Sequence, residues 1–432
     1  MTREPPQSLP SLPEDHEPVQ QKSLWWLSPM WLLLLFILPI YSLITQVGSV
    51  SSKDVTIRGL RFLDEYYLAL GFCMLLALIA GAWLGSQVKP SSRQNALVDG
   101  HWRGALWVLG SASLVAYLIW FKDILFVPSV LFGMLTGASK ISRLDIGATI
   151  GVTSLTNFIP IYFSLFTYVF LHYGERVSKP LRWLTGVLFV LTLFRVYAWG
   201  ERLALIELMA GVAVPACLAI HNDPKRPFLR KILLIAPFLG IPLLLLYFGV
   251  FEYFRSWQSD TYNGKTDFWS FVIGRVGSYY YTALNNGAGM LSTLPWPTYK
   301  FEHVLTWVHK APFSIGPIFK YYIGLKTFSG GLFLTNYADP EFNNLSGIFT
   351  IIFDVGIPGA ILYFFMFGCL AGYLYRGYVA GRTAAILYYP LFFIAILEVM
   401  RVPYLGDSRT FTAVLGATFA YWMIQKRPRR RG

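Results

Sequence analysis

The chain is 432 residues long, 55% hydrophobic and 17% aromatic, with a mean hydropathy of +0.49. Only 14% of its residues are charged, against about 25% in soluble domains, and that shortfall excludes a water-soluble globular protein. The formal charge of +13 falls in short groups between apolar runs, which is the distribution of a membrane protein rather than of a nucleic-acid-binding face.

Residues 1–24 are polar and proline-rich (Pro5, Pro6, Pro10, Pro13, Pro18) and lack the apolar core of a cleavable signal. They are expected to form a disordered cytoplasmic tail. Apolar stretches able to supply spans of about 20 residues recur near 25–47, 65–88, 104–127, 150–173, 182–199, 201–220 and 229–250. A long segment, 251–345, comes next; three more spans lie near 346–375, 378–400 and 409–425, and 426–432 is a basic cytoplasmic tail. The runs are apolar all round, whereas barrel strands alternate. The expected fold is therefore an all-α polytopic integral membrane protein with about ten transmembrane helices. The fifth and sixth spans meet at Gly200, either as a hairpin or as one long kinked helix. Cys73, Cys217 and Cys369 lie within spans, so neither a disulfide framework nor a zinc site is indicated.

With the N-terminus inside, the short inner segments hold 19 Lys and Arg and the short outer segments 10. The positive-inside rule then places both termini in the cytoplasm and 251–345 outside. A loop of that length is either functional or disordered. Its many rings, among them Tyr253, Trp257, Trp269, Tyr279, Tyr280 and Tyr281, argue for a folded one. Residues 269–294 fit an interfacial amphipathic helix, against the helix-weakening Gly274, Gly277, Gly287 and Gly289.

Ionisable groups near span ends single out four places, because charge at membrane depth is costly and usually functional. At the fifth–sixth junction, Arg195 and Arg202 flank Glu201; two guanidinium forks match phosphate oxygens, though span-end arginines also simply reach for the interface. Asp354 lies inside the eighth span beside Gly356, either as a functional carboxylate or as a helix–helix hydrogen-bonding group. Glu398 and Arg401 are three apart on one helix face, with Asp407 and Arg409 following; an ion-pair cluster and a substrate site are equally consistent with that spacing. In the long loop, Arg255, Arg275, His303 and His309 stand among aromatic rings such as Tyr280, a combination suited to a sugar–pyrophosphate ligand.

The chain contains no Gly-x-x-x-x-Gly-Lys loop, no His-Glu-x-x-His, no Asp-x-Asp and no Gly-x-Ser-x-Gly. An ATPase, a metalloprotease and a sugar-nucleotide transferase are disfavoured accordingly. From Asn343 to Phe411 the pattern resembles bacterial O-antigen and exopolysaccharide repeat-unit polymerases of the Wzy type. The likeness is carried by Asn343-Asn344-Leu345-Ser346-Gly347-Ile348-Phe349, by Phe353-Asp354-Val355-Gly356-Ile357-Pro358-Gly359 and by Gly368 to Tyr375. Gly200-Glu201-Arg202 and the large loop before the last three spans also match. One described pattern, Arg-x10-Gly, is not kept: eleven residues on from Arg255 and Arg275 stand Thr266 and Asn286.

This resemblance implies a GT-C-like glycosyltransferase of the bacterial cytoplasmic (inner) membrane with its active site facing the periplasm. Such an enzyme joins polyprenyl-pyrophosphate-linked glycan donor and acceptor, needs no metal or nucleotide cofactor, and has a chain-length-regulating co-polymerase as a candidate partner. On that reading Arg195, Arg202, Arg255, Arg275, Arg401, Arg409 and Tyr280 bind substrate. Glu201, Asp354, Glu398 and His309 are the pool for a base or its orienting group. The rival expectations are a lipid-linked polysaccharide ligase, a SEDS-type glycosyltransferase and a flippase or transporter.

Overall fold

The computed structural model describes residues 23–44, 60–89, 101–136, 146, 149, 151–199, 201–253, 257, 267–312, 314–338 and 342–425. Hydrocarbon offers no partner to a bare amide, so apolar runs satisfy their backbone internally as helices; among the described residues all regular structure is helical. The helices are α1 (Pro29–Ile44), α2 (Glu65–Gln87), α3 (Trp102–Trp120), α4 (Ile159–Tyr173), α5 (Lys179–Trp199), α6 (Arg202–Asn222) and α7 (Pro227–Glu252). Then come α8 (Phe268–Thr293), α9 (Thr306–His309), α10 (Ile315–Tyr322), α11 (Ser329–Tyr337), α12 (Phe349–Val379), α13 (Thr383–Leu397) and α14 (Ser408–Gln425).

Among the described residues seven helices are long and apolar enough to cross a membrane: α2 to α7, with α4 extended by its flanking turns, and α12. Shorter apolar helices are α1 and α13. The chain is thus a polytopic helical membrane protein. Between α5 and α6 the helix is interrupted, Glu201 lying at φ −81°, ψ 79°, so these are two helices and not one kinked rod. The third span ends at Trp120, short of the expected 127, and Lys122–Leu125 and Pro128–Leu135 follow as separate short helices.

Side-chain bonds show which helix ends lie together. Tyr41 at the end of α1 donates to Leu68 O near the start of α2 (2.9 Å), and Asn285 of α8 binds the backbone of 60–63. The start of α12, the end of α13 and the start of α14 share this end with the described residues of 295–345, which form a cap. Among the described residues, the opposite end carries Lys89, Arg103, Arg176, Lys179, Arg182, Lys225, Arg226, Arg230, Lys231, Arg376 and Arg382 against two acids, Glu175 and Asp223.

Two features hold the bundle. Gly81 and Gly85 of α2 face Gly368 and Gly372 of α12 so closely that a Cβ on Gly81 would strike Phe365 O and one on Gly368 would strike Leu78 O. Backbone lies on backbone, the arrangement small-x-x-x-small sequences permit. Proline supplies the second feature. Each helical proline lacks an N–H and strips a carbonyl four residues back of its partner, and neighbouring segments fill three of these vacancies. Trp26 Nε1 donates to Leu233 O below Pro237 (2.8 Å), Ser164 Oγ to Ile386 O below Pro390 (2.7 Å), and Tyr299 N to Asp354 O below Pro358 (2.9 Å).

The segment expected to be an interfacial amphipathic helix is α8, but Ala283 to Leu291 are buried on every side. Its C-terminal half is therefore a packed post under the cap. Asn286 donates to Phe342 O (2.8 Å) and Asn344 O (3.0 Å), fixing the chain that enters α12.

Replacing Gly368 by Leu should separate α2 from α12 and cost about 1–3 kcal/mol or more, as overpacking does. It will appear as a lower unfolding temperature in detergent. Gly186→Ala, where nothing approaches within 4 Å, should leave that temperature unchanged or slightly raised.

Candidate functional site

At the cap end α12 is broken. Gly356 sits at φ 72°, ψ 175°, a conformation that glycine alone adopts readily, and Pro358 follows. The carbonyls freed by the break are taken by the cap: Thr298 N donates to Phe353 O (3.0 Å) and Tyr299 N to Asp354 O. The fully buried Asp354 carboxylate accepts three further amides, from Glu302 (3.1 Å), His303 (2.7 Å) and Val304 (2.8 Å). Glu302 in turn holds the first residue of α11, accepting from Ser329 N and Ser329 Oγ, both at 2.7 Å. Asp354 is the cap's anchor, a backbone-binding role where the sequence left a functional carboxylate open.

His309 has a similar task. Its Nε2 lies 3.1 Å from Lys300 O and 3.2 Å from Phe301 O, and its ring packs on Phe319 and Phe328. Burial lowers its basicity. His303 is buried against Phe353 with Nε2 unpartnered. Burial, with Lys310 and His309 nearby, pushes its pKa down to about 4. Both imidazoles are neutral groups of the cap core near pH 7.

Arg275 is also tied down. It is fully buried with Glu252, Nε to Oε2 3.0 Å, over the ring of Phe342 at 4.7 Å. This pair fixes the end of α7 to α8. Arg255 and the side chain of Arg202 lie outside the described residues.

The remaining candidates form a network at the ends of α5, α6, α13 and α14. Arg195 grips Glu201 with two bonds, Nε–Oε2 2.6 Å and Nη2–Oε1 2.8 Å, and its guanidinium lies 5.0 Å over Trp120. Arg409 pairs with the same Glu201 and reaches Glu207 Oε2 at 3.4 Å. Tyr404 OH donates to Glu207 Oε1 (2.9 Å). Asp407 accepts from Arg409 N (2.9 Å), so it caps α14 and leaves the guanidinium to the network. Glu398 pairs with Arg401, Nη1–Oε2 3.0 Å. Both interact electrostatically with Tyr280 of α8, and Glu398 also with Arg409. Three arginines thus balance three glutamates. Such a network costs desolvation, but losing one partner costs more, about 3–5 kcal/mol, because a charge is left buried alone.

Balance is incomplete at one place. Arg401 Nε is buried without a hydrogen-bond partner, as are Ser408 Oγ and Trp199 Nε1, while Glu398 Oε2 accepts no hydrogen bond and is held by the ion pair with Arg401 Nη1. Arg401 is the most exposed of the three network arginines, at 23%. A buried donor left unsatisfied is where a water or a ligand's polar group fits.

Glu207 was missed from the sequence. Its signal was present: one acid inside the apolar run Leu203 to Ile220, which is by itself a mark of function or pairing. No protein-family model, no characterised protein and no solved structure matches the chain.

Two outcomes follow from the cap's anchoring. Asp354→Ala should strip acceptors from three buried amides, each worth about 1–3 kcal/mol, and expose 297–338 to limited proteolysis, with Asp354→Asn intermediate. His303 titrates near 4 in the fold and near 6.5 when exposed, so protons favour the open cap as pH falls. That penalty is absent above pH 6.5 and grows to about 3 kcal/mol by pH 4. Amide exchange across the cap should accelerate over that window, and His303→Leu should flatten the pH dependence. An unchanged profile in the variant would refute the assignment.

Proposed function

We propose that the chain is a GT-C-like glycosyltransferase of the bacterial inner membrane, with about ten spans and both termini cytoplasmic. It polymerises polyprenyl-pyrophosphate-linked oligosaccharide repeat units into a surface polysaccharide on the far side of that membrane. The orientation is supported by charge: among the described residues, eleven basic residues against two acids at the end away from the cap fit a cytoplasmic face. The reading of the site is carried by one observation, the Glu398–Arg401 ion pair in electrostatic reach of Tyr280, with Arg401 Nε left without a hydrogen-bond partner.

In the reaction the acceptor hydroxyl oxygen bonds to the anomeric carbon while the bond from that carbon to the diphosphate oxygen breaks. Negative charge builds on the departing diphosphate. The free edge of Arg401, backed by Arg409, is placed to stabilise it, since fixed cations act most strongly where water is excluded. The Glu398 carboxylate, paired with Arg401, takes the hydroxyl proton. Tyr280 supplies a ring for the sugar. Arg195 and Glu201 hold Arg409 in position, whereas Arg275, Asp354 and His309 shape the cap above.

The break in α12 favours a second reading, because discontinuous helices line the sites of secondary transporters. Here, however, the freed carbonyls are filled by the protein's own cap backbone. The transferase reading is preferred for that reason.

The discriminating assay uses protein reconstituted with purified lipid-linked repeat units. Wild type should yield a ladder of lipid-linked polymer with release of polyprenyl pyrophosphate, and Arg401→Ala and Glu398→Gln should slow it about 10²–10³-fold. Each single variant leaves a charge without its partner and should also lower the unfolding temperature, whereas the double variant Glu398→Gln/Arg401→Gln, which removes both charges, should stay nearer wild-type stability and remain inactive. Ladder formation at the wild-type rate in both variants rules out the proposed site. In cells, loss of the gene should accumulate single-repeat glycolipid; accumulation of long lipid-linked chains would instead identify a ligase.

A further inference from the structure

The cap presents an apolar face that the bundle does not use. Helix α10 turns Gly316 and Phe319 inward: a Cβ on Gly316 would meet His309 O, and the Phe319 ring packs on His309. Ile315, Ile318, Tyr321 and Tyr322 point the other way, 54%, 54%, 83% and 80% exposed. Their spacing of three and four residues makes one stripe on the helix. Large exposed apolar stripes of this kind mark contact with a partner or a membrane.

Charge identifies which. From His303 to Ala338 the sequence contains no Asp and no Glu, while Lys310, Lys320 and Lys326 border the helix. An apolar and tyrosine-rich stripe with a purely cationic rim is the composition of a helix that lies in a phospholipid headgroup layer. Tyrosine prefers that layer, and each lysine near an anionic surface adds about 1 kcal/mol. We propose that α10 is a foot of the cap, resting its Ile315–Ile318–Tyr322 stripe in the headgroup region of a bilayer containing anionic phospholipid. The inference stands independently of glycosyl transfer. It explains why a cap fastened at Asp354 would also need an outward apolar helix.

The test uses the full chain in nanodiscs of phosphatidylcholine with phosphatidylglycerol. Cys73, Cys217 and Cys369 are replaced by Ser, and a nitroxide is attached at Ile318→Cys. Lipid contact is read as high collision with oxygen and low collision with a water-soluble nickel chelate. Ile318→Asp, with the nitroxide moved to Tyr322→Cys, should shift the foot toward water by about tenfold, the worth of one buried aliphatic side chain. Replacing Lys310, Lys320 and Lys326 by Gln should remove the difference between anionic and purely zwitterionic discs. High collision with the nickel chelate in unmodified α10 would overturn the proposal, because the stripe would then face water. Low collision with both reagents would overturn it too, showing a protein, or a second copy of this chain, on the stripe.

Discussion

The cap depends on the acceptor groups that one broken helix exposes. A continuous α12 would bury Phe353 O and Asp354 O in its own ladder and leave nothing for an outside segment to bind. Gly356 and Pro358 open that ladder, and the cap backbone enters as replacement donor. Asp354 then adds a carboxylate at the same level, so five cap amides converge on two consecutive residues. A loop in water needs no such fastening. At the edge of hydrocarbon, unpaired amides are costly, and the fastening lets irregular chain pack deeply at the mouth of the bundle.

The same logic governs the charges. At the cap end, the network arginines and Arg275 are each matched by a glutamate, and two of them reach across helices: Arg409 of α14 binds Glu201 and Glu207, and Arg275 of α8 binds Glu252 of α7. These pairs tie helix ends that hydrophobic packing alone would leave free to slide, since lipid is as apolar as leucine. At the opposite end Arg226 pairs with Asp223 (3.1 Å), and several cations lie over rings, Arg103 over Trp102, Arg176 over Tyr173 and Arg182 over Phe170.

What the sequence made legible follows from the range of each interaction. Spans could be read because a hydrocarbon environment acts on every residue of a segment at once. The kinked-rod alternative at Gly200 was open because one glycine fits both geometries; Glu201 resolves it only through a partner on α14, 208 residues away. Asp354 was noticed as a costly acid, but its partners are backbone amides, which leave no mark in a sequence. Arg275 looked like a ligand group because its neutralising Glu252 is 23 residues distant across an unrelated stretch. Glu207 was legible and overlooked, one acid in an apolar run. Gly81 and Gly368 each carry the four-residue glycine spacing, yet only the fold shows that these two stripes meet each other.

Whether such a site can do chemistry turns on the difference between neutralising a charge and using up its hydrogen bonds. Arg195 is consumed: two bonds to Glu201, a third to Thr156, and Trp120 beneath it. Arg401 is neutralised by Glu398 but keeps Nε open. On the proposed reading, a diphosphate at Arg401 would meet this donor without first breaking the network. The consumed pairs then act as a rigid backing, because displacing any of them would strand a buried charge. On that reading the network's neutrality is what leaves a single donor unused, at the arginine within electrostatic reach of Tyr280.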